Sequence, residues 1–363
     1  MTENLLVYGS YGYTGSLIVE RAVEVGLSPT LAGRRAEPLE AQAEEWDLDH
    51  RVFSLQHSSV IERALADVDV VLNCAGPFSA TAAPLTDACL ATGTDYLDVA
   101  GEVDVLERAA ERDAAAEDAE TTVLPAVGFD VVPTDCLAAS LHNRLQGATA
   151  LTIALDGLGT FSPGTLQSIV ADLGTGGAVR RGGRLQAVPV AWRTREFAFD
   201  GARKPAVTVP WGDVATAYYT TGIGDVEVYA TVPRVAVPVL ENAGPLAEVL
   251  SVAPINRAVR AGIEAVVSGP TAAERAASET RILGEVVDAD GNRAVGRLRT
   301  PDTYDVTATA AVEAARRTLS GAVDPGFQTP ASAFGADFVT ELPGVKRTFE
   351  DVPAAAGAAT ADD

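Results

Sequence analysis

The sequence predicts an α/β protein: a doubly wound parallel sheet followed by a second α+β domain containing an antiparallel sheet. Three observations predict it. Short apolar runs alternate with helical patterns up to about residue 127. A glycine-rich turn stands between the first such run and the first helix. Beyond about residue 149 the pattern changes to glycine-broken, strand-like stretches.

Each element has its own signal. Residues 4–8 are a short apolar run that ends at Gly9 and reads as a buried parallel strand. Residues 14–25 carry Leu17, Ile18, Val19, Ala22 and Val23 at helical spacing, closed by Gly26. Strands follow at 29–32, 51–55, 68–74, 94–99 and 121–127. Helices are expected at 37–46, 58–66, 80–92 and 102–118. In the second part, 226–232 reads as a strand and 239–267 as helical. Asp288-Ala289-Asp290-Gly291-Asn292 reads as a hairpin turn. A last long helix is expected over about 302–320. These signals divide the chain into a dinucleotide-type domain over 1–130 and a substrate or oligomerisation domain over 131–300. A C-terminal helical segment over 301–351 then packs back on the first domain, and 352–363 form a flexible acidic tail.

Composition bounds the function. The 363 residues suit two domains, and 47% hydrophobic content supports a sizeable core. Fifty acidic residues against 27 basic ones give a net charge of −23, and only Lys204 and Lys346 are lysines. Such a surface repels nucleic acid and anionic membranes. Scarce lysine with abundant carboxylates points to a high-salt, halophilic cytoplasm, because salt screens the self-repulsion. The protein is therefore expected to lose its fold when salt is removed. A melting temperature unchanged between molar and low salt would contradict this. Cys74, Cys89 and Cys136 form no paired spacing, which points to a reducing compartment. His50, His57 and His142 are scattered, so no metal site is expected. No leader segment and no apolar run long enough for a transmembrane helix are read.

The chemistry is concentrated at strand ends. Gly9, Ser10, Tyr11, Gly12, Tyr13, Thr14 and Gly15 form a GxxGxxG turn between a strand and a helix. There glycines allow the tight turn, the close approach of a pyrophosphate and tight helix–strand packing, and the helix N-terminus favours the anion. A dinucleotide site follows. Arg34 and Arg35 stand at the end of the second strand, where an acidic residue would bind the ribose hydroxyls of NAD. Two guanidinium groups suit a 2′-phosphate, so NADP is expected over NAD. Glu37 is close enough in sequence to pair with either. Cys74, Ala75, Gly76, Pro77 and Phe78 follow the fourth strand and are expected beneath the nicotinamide ribose. Cys74 has no histidine partner and reads as a small buried thiol. Asp95 to Glu102 and Gly128 to Asp135 bring carboxylates to the same edge. Asp130 is the candidate for proton handling. Asp130 and Asp135 equally suit capping of a helix that starts near Thr134. Neither lysine follows a tyrosine at position i−4, which excludes short-chain dehydrogenase chemistry.

These segments together resemble the saccharopine dehydrogenase-like oxidoreductases, which include the trans-acting enoyl reductases. Ser162 to Ser168 and Gly326 to Pro330 with Phe334-Gly335 resemble two further segments of that family. The resemblance implies a Rossmann domain, an inserted α+β domain and an NADP(H)-dependent oxidoreductase. Its hydride acceptor would be a C=C bond of an enoyl, lipid-like molecule or a C=N bond. It also implies substrate contacts from Glu102, Phe129, Thr165 and Ser168. A true saccharopine-type reductase would need basic groups such as Arg180, Arg181 and Arg184. An enoyl reductase would need an apolar cleft, for which Trp192, Phe197, Phe199, Trp211, Tyr218 and Tyr219 are candidates. A non-catalytic NADP-binding scaffold and a homodimeric assembly stay open.

Overall fold

The computed structural model describes residues 4–160, 162–167, 176–242, 256, 259, 262 and 268–350. Six of the seven parallel strands of the first sheet come from the N-terminal third of the chain: β1 (Leu5–Tyr8), β2 (Thr30–Gly33), β3 (His50–Val52), β4 (Val70–Asn73), β5 (Asp95–Asp98) and β6 (Thr122–Leu124). Their order is β3-β2-β1-β4-β5-β6, which puts the reversal of winding between β1 and β4. Every residue of β1 and β4 is buried, as central strands covered by helices on both faces require. The connecting helices include α1 (Tyr13–Glu24), α2 (Ala36–Trp46), α3 (Ser58–Leu65) and α4 (Phe78–Thr92).

Two expectations change in detail. The helix expected over 102–118 is two helices, α5 (Val103–Ala110) and α6 (Asp113–Asp118). They break at Arg112, whose guanidinium reaches sideways to Asp87 and back to the Arg108 carbonyl. The strand expected over 121–127 ends at Leu124. There the chain bends through Ala126, at φ +60°, to give its amide to the Asp98 carboxylate at 2.8 Å.

Helix α7 (Val132–Arg144) leads into the second domain. The second sheet runs in the order β10 (Thr194–Phe199), β11 (Ala202–Thr208), β12, β7, β13, β14 and β16 (Lys346–Glu350). Its central strands are β7 (Ala148–Asp156), β12 (Asp225–Thr231), β13 (Thr280–Asp288) and β14 (Arg293–Thr300). The sheet is mixed, because β7 and β12 pair in parallel. Helix α7 lies on this sheet, where Gly284 and Gly296 leave room for Leu137: a Cβ on either would come within 2.9 Å of it. The turn at 288–292 forms as expected, with the Asp288 carboxylate accepting from the amides of Asp290 and Asn292. Of the helix expected over 239–267, Val237–Glu241 lies among the described residues and most of the rest does not.

The long helix Thr303–Leu319 packs its alanine-rich face on α1, β4 and β5. The segment that follows divides between the domains. Gly326–Phe327 adds a strand beside β6, whereas Lys346–Glu350 (β16) pairs with β14 in the second sheet. The C-terminal segment is thus neither wholly helical nor confined to the first domain.

Candidate active site

The glycine loop is built from backbone contacts that leave no room for side chains. Gly9 has φ +84°, and a Cβ there would lie 2.8 Å from Ala75 of the turn after β4. A Cβ on Gly15 would overlap the Gly9 carbonyl and sit 2.8 Å from that of Ser10. A Cβ on Gly12 would meet only the Gly9 carbonyl, at 3.2 Å, so Gly12 faces the open side of the loop. Gly12 is also the N-cap of α1 and offers no side chain to its first amides. Those amides and the helix dipole remain free for an anion. This cradle fits the pyrophosphate of a dinucleotide.

At the end of β2, the Tyr11 ring lies across Gly33, where any Cβ would collide with it. Arg35 stacks on that ring at 5.1 Å and gives its amide to the Tyr11 hydroxyl. Arg34 is exposed and has no ion pair among the described residues; nor does Glu37 pair with either arginine there. An unpaired guanidinium at this position suits a phosphate.

A buried polar chain fixes the strand ends beyond the loop. The Asn73 side chain accepts from the Ala75 amide at 3.0 Å and donates to the Tyr96 hydroxyl at 3.1 Å. Tyr96 donates to Asp98 at 2.8 Å, and Asp98 also accepts from the amides of Ala100 and Ala126. Burial pushes the Asp98 carboxyl up to about 6, and these donors oppose the shift.

Between the two domains lies a cavity of about 740 Å³. Thr14, Cys74, Gly76 and Phe78 line it on the dinucleotide side. Val190, Val207, Val209 and Trp211 give its far side an apolar wall. Its charged lining residues among those described are Glu102 and Asp130, both acidic. Burial, and then the nearby Glu102 carboxylate, push Asp130 up to about 7. A carboxyl there exchanges its proton near neutral pH. The Cys74 thiol, by contrast, is pushed above its ordinary range by burial and is not a nucleophile.

A family model, the saccharopine dehydrogenase NADP-binding domain, matches residues 5–124. A trans-acting enoyl reductase of Mycobacterium leprae is 32% identical over 154 residues, covering 39% of this chain and 36% of its own length. The chain spans less than half the length of the curated relatives it matches. The fold as a whole is similar to two solved structures. The L-glutamate-forming saccharopine dehydrogenase of Saccharomyces cerevisiae matches with a TM-score of 0.66 and 13% identity, over 96% of this chain and 100% of that one. The homospermidine synthase of Legionella pneumophila, solved with NAD, matches with a TM-score of 0.63 and 10% identity, over 97% and 92%.

Within the first domain the predicted loop residues play different parts. The Ser10 side chain is fully buried and its hydroxyl has no partner among the described residues, so it is not presented at the surface of the loop. Tyr11 is spent on Gly33 and Arg35. The Tyr13 side chain crosses to the second domain, donating to the Pro270 carbonyl at 2.5 Å and accepting from Arg275 at 3.2 Å. Ala75 buttresses Gly9, and the peptide between Gly76 and Pro77 is cis. Glu102, Phe129 and Thr165 line the cavity with Asp130, while Ser168 lies outside the described residues.

Other expectations are corrected. Neither Asp130 nor Asp135 caps α7, whose N-cap is Val131 and carries no side-chain bond. Asp135 instead accepts from Thr220 at 2.5 Å and from the Ala331 amide at 2.8 Å, joining three segments. Arg180 is buried against Glu107 and the Val214 carbonyl, and Arg181 pairs with Glu227. Neither they nor Arg184 lines the cavity. Of the six candidate aromatic residues, Trp211 alone lines it. Phe197 and Phe199 are in the core of the second sheet, and Trp192 is stacked under Arg193 at 4.2 Å. Sequence reading missed Tyr304, which lines the cavity from the second position of the long helix. Asp302 caps that helix through the Tyr304 amide, but nothing local in the sequence marks which way the ring points.

Proposed function

We propose that this chain is an NADPH-dependent oxidoreductase that reduces the C=C bond of an apolar, enoyl-type substrate, with Asp130 as proton donor. The observation that carries this reading is the cavity. It is continuous with the dinucleotide loop, apolar on its far side, and free of Arg and Lys among its described lining residues. The Glu102 carboxylate in its wall opposes a substrate with several carboxylates. A saccharopine-type reaction is therefore the weaker reading.

The glycine cradle and the free amides of α1 would hold the pyrophosphate, and Arg34 the 2′-phosphate. The nicotinamide, when bound, supplies the hydride. The apolar wall excludes water from the acceptor, and the protonated Asp130 holds the proton for the carbon that does not take the hydride. Its acidic surface and free cysteines support a reducing, salt-rich cytoplasm as the setting.

The direct test is Arg34→Ala with both cofactors. A lost charge-assisted phosphate contact corresponds to a Kd for NADPH raised by roughly ten- to a hundredfold, with NADH binding little changed. Equal NADPH affinity in the variant would remove Arg34 from the site. Oxidation of NADPH by α,β-unsaturated thioesters, set against glutamate plus a semialdehyde, then decides the acceptor.

A further inference from the structure

We infer that Tyr304 is a catalytic hydrogen-bond donor to the substrate's carbonyl oxygen, held in place by the Ser162 amide and by a chain of hydroxyls from Ser162 and Thr165. The inference rests on the enoyl reading above and goes beyond it by assigning the group that takes up the developing charge.

Two backbone donors anchor the chain. The Thr165 amide donates to Ser162 Oγ at 3.2 Å. The Ser162 amide donates to the Tyr304 hydroxyl oxygen at 2.6 Å. Between them, Ser162 Oγ lies 3.1 Å from Thr165 Oγ1, and Thr165 Oγ1 lies 3.0 Å from the Tyr304 hydroxyl; either hydroxyl of each pair can donate. A phenol oxygen has two acceptor positions: the Ser162 amide takes one, and the Thr165 hydroxyl can take the other. With a carbonyl oxygen in the cavity to accept from Tyr304, the hydroxyls can align from Ser162 through Thr165 to Tyr304, and each bond in such a chain strengthens the next.

The ring is equally constrained. Tyr304 is 6% exposed, its amide is held by Asp302 at 2.9 Å, and its ring meets Tyr13 edge-on at 5.0 Å. Tyr13 adjoins Thr14 of the dinucleotide loop, so the donor is braced against the cofactor side. Ser162, Thr165, Tyr304 and Asp130 all line the one cavity. Burial raises the Tyr304 hydroxyl above its ordinary range and keeps it protonated.

The chemistry balances on this arrangement. When a hydride adds to the β carbon of an α,β-unsaturated carbonyl compound, the C=C electron pair moves toward the carbonyl oxygen as an enolate. The Tyr304 O–H donates a hydrogen bond to that oxygen without transferring its proton. The enolate electrons then form a C–H bond at the α carbon with the proton of Asp130, and the carboxylate left behind is reprotonated from water. A preplaced donor at a developing oxyanion is worth about 10²–10³ in kcat.

The test is Tyr304→Phe, which keeps the ring and its packing. The expected result is a kcat for an α,β-unsaturated thioester lowered by about 10²–10³ with unchanged NADPH affinity. A second readout needs no turnover: the infrared carbonyl stretch of the bound enone benzalacetone. It should fall to lower frequency in the wild-type protein, recover in Tyr304→Phe, and recover in part in Thr165→Val. Wild-type turnover in Tyr304→Phe, or a carbonyl frequency identical in all three proteins, overturns the assignment and leaves the enoyl reading intact. Wild-type protein that binds NADPH yet neither reduces nor binds any enoyl compound sinks the enoyl reading, and the assignment with it.

Discussion

Asp130→Asn is expected to slow turnover by roughly 10²–10⁴, the usual contribution of a placed general acid. It should also flatten the pH profile. In the wild-type protein the donor is the protonated carboxyl, which burial and Glu102 hold near 7. Turnover should be level below that pH and fall about tenfold per unit above it, as the proton is lost before the substrate can take it. The amide cannot supply a proton at any pH, so the variant should be slow throughout and show no alkaline limb. Glu102→Gln removes the second cause of the shift and should move the limb to lower pH. A limb that persists in Asp130→Asn would assign the proton to another group.

Gly15→Ala is expected to abolish NADPH binding and to destabilise the first domain. The added Cβ would overlap backbone atoms of Gly9 and Ser10, which cannot rotate away as a side chain can. Overpacking of this kind costs about 1–3 kcal/mol, and relief requires the loop to move off its cradle. The melting temperature should drop by several degrees, at about 2–4 °C per kcal/mol. Gly12→Ala makes the contrast. Its Cβ meets a single oxygen at 3.2 Å on the open face, so the fold should hold while the pyrophosphate is kept away. A Gly12→Ala protein that melts early, or a Gly15→Ala protein that binds NADPH normally, would reverse these roles.

The first domain was legible because its signals are local. An apolar strand buried on both faces, a glycine turn and an amphipathic helix each lie within about a dozen residues, and their alternation specifies a parallel sheet. The glycines at 9, 12 and 15 could be read for the same reason: each answers a backbone contact within its own turn or with the neighbouring strand. Asp130 could be read as a residue at a strand end.

The second domain resisted reading because its contacts are distant in sequence. Strand β7 pairs in parallel with β12, some seventy residues on, and no local pattern distinguishes that from an antiparallel neighbour. The aromatic residues failed as a guide to the cavity for the same reason. Phe197 and Phe199 satisfy the same hydrophobic demand in a core as they would in a cleft. The arginines of the β8 (Gly177–Arg181) and β9 (Arg184–Val188) hairpin looked available until the fold brought Glu107 and Glu227 to two of them.

The sequence by itself determined the dinucleotide cradle, because a loop that must exclude every Cβ writes that requirement directly as glycine. Only the tertiary structure decided what the cradle faces. The apolar wall, the shift of Asp130 by burial and by Glu102, and the hydroxyl chain that includes Tyr304 all join residues from separate segments. Burial and charge proximity are properties of that assembly, and no single segment carries them.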